Sequence, residues 1–188
     1  MTRQKQVIRY FPLMLALMAL NSACANENAL ADEANIVAQS YLASTLKSVT
    51  QAIAQNGPVN AVNVCRLIAP NLAAGTNMSS WQAGRTALRV RNPQNQPDVW
   101  ERKILEQFQE RADQGEPLNQ MSHYEIVDGR FRFMKAISTG EICLTCHGKQ
   151  IDPEVSRILN RDYSDDQATD FSLGELRGAL TLSHPLEQ

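Results

Sequence analysis

The chain has 188 residues, 43% of them hydrophobic and 20% charged, with a formal net charge of -2. That is the size and composition of one ordinary globular domain, long enough to bury a core without staples. The charge argues against a nucleic-acid partner, which calls for a basic patch or a high pI.

The first 25 residues read as an export signal. Arg3, Lys5 and Arg9 make a basic start, "FPLMLALMAL" (11–20) an apolar stretch, and "NSACAN" supplies small residues for cleavage. The apolar stretch contains Pro12 and falls short of the ~20 residues of a membrane span, so no span is expected. Two outcomes fit the signal. Ala23-Cys24-Ala25 is an A-x-A site, cut after Ala25 to release a soluble protein. Cys24 also fits a lipidated N-terminus and hence a lipid anchor, although Asn21 stands where that signal usually carries Leu. Either way residues 26–188 form a single mature domain, expected in the periplasm or an equivalent extracytoplasmic space.

Residues 31–55 predict a helix, because Ala34, Val37, Ala38, Tyr41, Leu42, Thr45 and Val49 recur near the 3.6 period. "NGP" (56–58) ends it. A second helix over 59–73 carries Val62, Cys65, Ile68, Ala69 and Leu72 on one face, and Gly75 stops it. From 85 to 91 the period changes to two. Thr86, Leu88 and Val90 alternate with Arg85, Ala87, Arg89 and Arg91, which predicts a strand with one apolar and one arginine-rich face.

"NPQNQP" breaks that strand. A third helix over 98–112 turns Trp100, Ile104, Leu105 and Phe108 inward. Residues 124–138 form a hairpin about Asp128-Gly129, the pair that suits a type I′ turn. A short helix over 153–159 and a last strand follow, with Leu176, Gly178, Leu180 and Leu182 alternating against Arg177, Ala179, Thr181 and Ser183. The expectation is an α+β domain with segments 85–91, 122–127, 130–138 and 176–183 in one antiparallel sheet.

Directly after the second hairpin strand stands Cys143-Leu144-Thr145-Cys146-His147. C-x-x-C-H is the attachment signature of a c-type haem. Two thiols a short turn apart add to the two vinyl groups as thioethers, and the adjacent His147 becomes an axial iron ligand. Competing readings lack their context. A thioredoxin-like pair sits in a βαβ unit, structural zinc takes four Cys or His ligands, and a plain disulfide gives His147 no role. One motif predicts one haem c.

Export leaves Cys65 as an odd cysteine. On pattern alone it is equally an iron ligand or a compact buried residue. His123, His184, Met78, Met121 and Met134 have ligand chemistry too, though surface or core positions are commoner for such residues. Trp100 and Phe108 belong in the core, where they can reach the haem. Arg85, Arg89 and Arg91 suit either the haem propionates or a solvated strand face.

Three blocks, "GRTALRVRNPQNQPDVWE", "EICLTCHG" and "GELRGALTLSHPL", occur in that order and resemble the Tll0287-like family over about residues 35–186. The resemblance implies a PAS-like fold, a central antiparallel sheet flanked by N-terminal and crossover helices, with one covalently bound haem c. It implies iron held between His147 and the thiolate of Cys65, in the "AVNVC" helix before "RLIAP". It also favours Arg85 and Arg91, which lie in the first block, as propionate partners. The implied function is redox or small-ligand sensing. With no room for a kinase, cyclase or methyl-accepting segment, that requires a separate redox or signalling partner protein. The rival function is periplasmic electron transfer. An enzyme of peroxidase type would need an open iron position and an acid/base group beside it, and the sequence nominates no catalytic residue.

Overall fold

The computed structural model describes residues 11–67 and 81–186, with side chains from Asn26 onward. Helix α1 spans Phe11–Leu67 and breaks at Asn56 (φ -138°, ψ 17°) and Gly57 (φ 77°, ψ 174°). Pro58 forces this break, because its ring disfavours helical geometry in the residue before it. The two predicted helices are therefore two arms of α1, and the stretch of the second beyond Leu67 lies outside the described residues, as does Met78. Residues 11–25 continue α1 at its N-terminus. Among the described residues no helix is long and apolar enough to cross a membrane.

Four strands form one antiparallel sheet in the order β1-β4-β3-β2. They are β1 (Gln82–Thr86), β2 (Ser122–Val127), β3 (Arg130–Ser138) and β4 (Leu176–Pro185). Asp128 (φ 50°) and Gly129 (φ 72°) make the two-residue turn between β2 and β3, with Val127 paired to Arg130. The first arm of α1 covers one sheet face. Its Ala34, Ala38 and Tyr41, at helical spacing, pack on Phe131, Phe133, Leu180 and Leu182. Helix α2 (Val99–Asp113) covers the other face, with Ile104, Leu105 and Phe108 on Met121, Met134, Ala136 and Ala179. Asp98 caps α2 in a capping box with Glu101. Two short helices, α3 (Glu141–His147) and α4 (Pro153–Asp162), join β3 to β4. The second arm of α1 packs on α4 through Val62 against Val155, Ile158 and Leu159.

Three of the four predicted strands pair as expected. The fourth is displaced: β1 is Gln82–Thr86, not 85–91. Residues 87–91 leave the sheet after the Thr86–Ala179 pair and run against the loop before β4, where the Val90 carbonyl accepts from the Gln167 amide (2.9 Å). Ala87 and Val90 are buried there without strand pairing. The alternation thus reports burial, and Ala87 belongs inside rather than on the arginine-rich side.

β4 carries a β-bulge. Ile137 pairs with Gly178 and Ser138 with Leu176, so Arg177 has no opposite partner. The extra residue reverses the alternation. Leu176 goes to the α2 face, and Arg177 turns to the α1 face. Gly178 (φ 149°) permits this, since a Cβ there would lie 2.5 Å from the Thr86 carbonyl oxygen. Gly178→Ala should destabilise the fold by more than the ~1–3 kcal/mol of backbone strain alone. Gly115→Ala, also at positive φ but with nothing within 4 Å of the new Cβ, reports that strain by itself. Urea unfolding compares the two, and equal losses would refute the close β1–β4 approach.

Candidate functional site

A cleft of about 400 Å³ opens between α1, the edge of the sheet and α3, within the usual range of ligand sites. Leu42, Leu46, Val49 and Ile53 of α1 face Ile137 and Ile142 across it. Asn92, Gln94 and Asn95 stand in its lining, as do Cys65, Arg85, Arg91, Cys143, Cys146, His147 and Arg177. Every residue singled out above as a favoured site residue therefore reaches one cavity.

The motif is helical. Cys143 and Cys146 lie three apart on α3, a spacing that puts both thiols on one side. All three described cysteines whose side chains are placed, Cys65 included, are free thiols. His147 ends the helix. Its Nδ1 lies 2.6 Å from the Ala168 carbonyl oxygen. A carbonyl only accepts, so Nδ1 carries the proton and Nε2 keeps its lone pair. Burial, helped by the positive charges of Arg177 and Arg91, holds the imidazole well below the usual histidine range, against the Ala168 bond. A neutral ring with a fixed Nδ1–H and a lone pair at Nε2 is what a metal-ligating histidine requires.

The loop after α4 anchors that helix end. The Phe171 amide donates to the His147 carbonyl (2.9 Å) and the Asp170 amide to that of Gly148 (3.2 Å). Arg91 spans the junction. Its Nε donates to Asp166 (2.8 Å) and its Nη2 to the carbonyl of Cys146 (2.6 Å) and that of Ala168 (3.3 Å). The two side chains are only 12% and 8% exposed.

The other arginines divide. Arg89 leaves the cleft, stacking over Phe171 at 3.6 Å and reaching Glu175 at 4.0 Å. Arg85 pairs in the sheet opposite Leu180 and so faces α1. Arg177, which strand alternation alone puts on the wrong face, enters the cleft by way of the bulge, and its Nη2 lies 3.4 Å from Nε2 of His147. Burial, with Arg85 and Arg91 nearby, lowers its guanidinium to about 9.

Cys65 is accessible and yet burial pushes its thiol up, with Arg85, Arg91 and Arg177 opposing. Both follow from a side chain that opens into a cleft rather than onto the outer surface. Burial likewise raises the Cys146 thiol, against Arg91.

The remaining ligand candidates among the described residues lie elsewhere. Met121 and Met134 are buried under α2, across the sheet from the cleft. His123 sits beside Trp100 and Glu125, and His184 against Trp81. Phe108 and Trp100 pack on the α2 side, in or against the core as expected and away from the cleft.

The Tll0287-like family profile matches residues 18–185. The chain belongs to the Tll0287-like family. It is similar in structure to the crystal structure of the cyanobacterial heme-protein Tll0287. The TM-score is 0.56 and the identity 20%, over 80% of this chain and 96% of that one. At that identity the likeness speaks for the fold. Comparison with curated proteins finds no match.

Breaking the Arg91–Asp166 pair should loosen the His147 anchor. Arg91→Ala and Asp166→Ala are each expected to cost about 3–5 kcal/mol, with the double variant losing clearly less than their sum. Denaturant unfolding of the three variants measures this, and additive losses would mean that the two side chains act separately.

Proposed function

We propose that this protein is an exported, monohaem c-type protein of PAS-like fold that acts as a redox or small-ligand sensor, with no catalytic residue of its own. One observation carries the haem reading. Two free thiols, Cys143 and Cys146, and the lone pair of His147 Nε2 share one wall of an apolar cleft. The donor set and the walls fit a flat iron-bearing ring attached through two thioethers. The family and the heme-protein neighbour support the same reading. Haem held there would supply a reversible one-electron couple, and a small molecule would reach the iron only where Cys65 releases it.

The chain's own residues prepare the site. Ala168 fixes the tautomer and rotation of His147. The apolar residues of α1 exclude water from one face. Cys65, on the second arm of α1, is the proposed second iron ligand. An anionic sulfur favours ferric iron and sets a potential below that of a His/Met site. The sensing reading rests on where Cys65 is carried. Its arm lies beyond the Asn56–Gly57 break and packs on α4, so whatever Cys65 binds or releases is coupled to that packing, as a switch requires. The output then passes to a separate redox or signalling partner. Export follows from the leader, with release after Ala25 or anchoring at Cys24.

Cys143→Ala with Cys146→Ala should abolish covalent haem, and the unaltered protein should show a c-type pyridine spectrum with haem retained on the denatured chain. Haem that extracts into acid acetone from the unaltered protein would refute c-type attachment. Cys65→Ser should keep covalent haem, lose thiolate features from the ferric EPR spectrum and raise the potential. An unchanged spectrum and potential would leave Cys65 as packing. A haem indifferent to carbon monoxide and nitric oxide in both redox states would favour the electron carrier instead.

A further inference from the structure

Three guanidiniums, those of Arg85, Arg91 and Arg177, converge on one cleft. Among the described residues, Asp166 is the one carboxylate within ion-pair distance of any of them, and it belongs to Arg91. Arg91 is also bonded to two carbonyls, which leaves its fork little capacity for a ligand. Among the described residues neither Arg85 nor Arg177 has a carboxylate partner, and Arg177 makes two longer contacts, to the Arg89 carbonyl (3.5 Å) and to Nε2 of His147 (3.4 Å). Elsewhere the chain does pair its sheet arginines. Arg132, on the α2 face, meets both Asp98 (2.7 Å) and Glu101 (3.1 Å).

Two like charges at an apolar cleft are costly unless something anionic joins them. Arg85 follows the ordinary alternation of its strand, but Arg177 does not. It reaches the cleft through the bulge, at the one register shift between β3 and β4. The fold therefore departs from regular pairing at the residue that adds the second charge. The apolar walls limit what the pair can receive. A small dianion would leave Leu42, Val49 and Ile53 uncovered, whereas a flat apolar body with two carboxylates meets both the walls and the charges.

We infer that Arg85 and Arg177 together receive the two carboxylates of a flat, apolar, dianionic ligand, and that Arg91 does not. This rests on the haem reading, in which those carboxylates are the propionates. Guanidinium forks match carboxylates bidentately, and the two positive charges answer the two negative ones.

The test uses the full chain carrying Cys143→Ala and Cys146→Ala, titrated with iron-free protoporphyrin IX and with its dimethyl ester. Fluorescence reads both, and neither iron ligation nor thioether formation contributes. The free acid should bind roughly tenfold or more tightly than the ester. Arg85→Gln and Arg177→Gln should each remove most of that preference while leaving ester binding unchanged. The acid–ester comparison needs no arginine variant, so it tests carboxylate recognition even where one folds poorly, and Arg91→Gln should leave the preference in place. Equal binding of acid and ester would overturn the inference, as would arginine variants that weaken both alike. If neither porphyrin binds while the unaltered protein carries covalent haem, the inference fails and the haem reading stands. If neither porphyrin binds and no covalent haem forms, both fail.

Discussion

The site depends on one guanidinium. Arg91 joins the segment after β1, the last turn of the motif helix and the loop before β4, through Asp166 and the carbonyls of Cys146 and Ala168. Ala168 is also the acceptor that fixes the His147 ring. The segment that carries the proposed iron-binding nitrogen and the segment that orients it are thus tied at the same point. The pair is almost buried, where an ion pair is costly to break because the orphaned partner stays unsolvated. A histidine at the end of a seven-residue helix would otherwise fray with that helix, since a helix so short has little stability of its own.

The sheet separates two environments. On its α2 face, packing is closed. Ile104, Leu105 and Phe108 meet buried methionines, and Arg132 and Thr181 both reach Glu101. On its α1 face, packing is closed only at one end, where Ala34, Ala38 and Tyr41 meet Phe131 and Phe133. Toward Ile137 the helix and sheet diverge, and the bulge lies at that end. A regular strand would have placed a second leucine, Leu176, in the gap. The bulge sends Leu176 to the closed side and delivers Arg177 instead. One extra residue in the ladder thereby replaces core with a polar, cationic wall.

Much of this was legible in the sequence. The hairpin followed from Asp128-Gly129, α2 from the spacing of Ile104, Leu105 and Phe108 behind Asp98, and the break in α1 from Asn56-Gly57-Pro58. These are local signals with local causes. Cys143, Cys146, His147, Cys65, Arg85 and Arg91 all line the cleft, and periodicity sufficed to put Cys65 on an inward face. What failed was non-local. Residues 87–91 alternate like a strand, but Ala87 and Val90 are buried off the sheet, where Val90 is bonded to Gln167, and no window of sequence contains both segments. Arg177 was missed because period-two counting assumes an unbroken ladder. The glycine beside it was the available signal, since an isolated glycine within a strand pattern often marks a bulge.

The break in α1 bears on whether such a cleft suits signalling or simple electron carriage. The first arm belongs to the sheet core. The second arm, α4 and Cys146 belong to another cluster, built on Val62, Val155, Ile158 and Leu159. The two clusters share no residue. Cys65 and Cys146 are carried by one of them, Arg85 and Arg177 by the sheet. The cleft thus lies between two apolar clusters, which Arg91 already ties through the Cys146 carbonyl, and a bound group would add contacts between them. An electron carrier gains from a site whose surroundings hardly change with oxidation state, which favours a single continuous core. A cleft bridged by its own ligand has a different property. In the proposed reading, altering an iron bond at Cys65 would change contacts between the two clusters, and hinges of a few residues at an element break are the usual place for such motion. Asn56 and Gly57 provide that break on the same helix as Cys65, and the proposed sensing function rests on it.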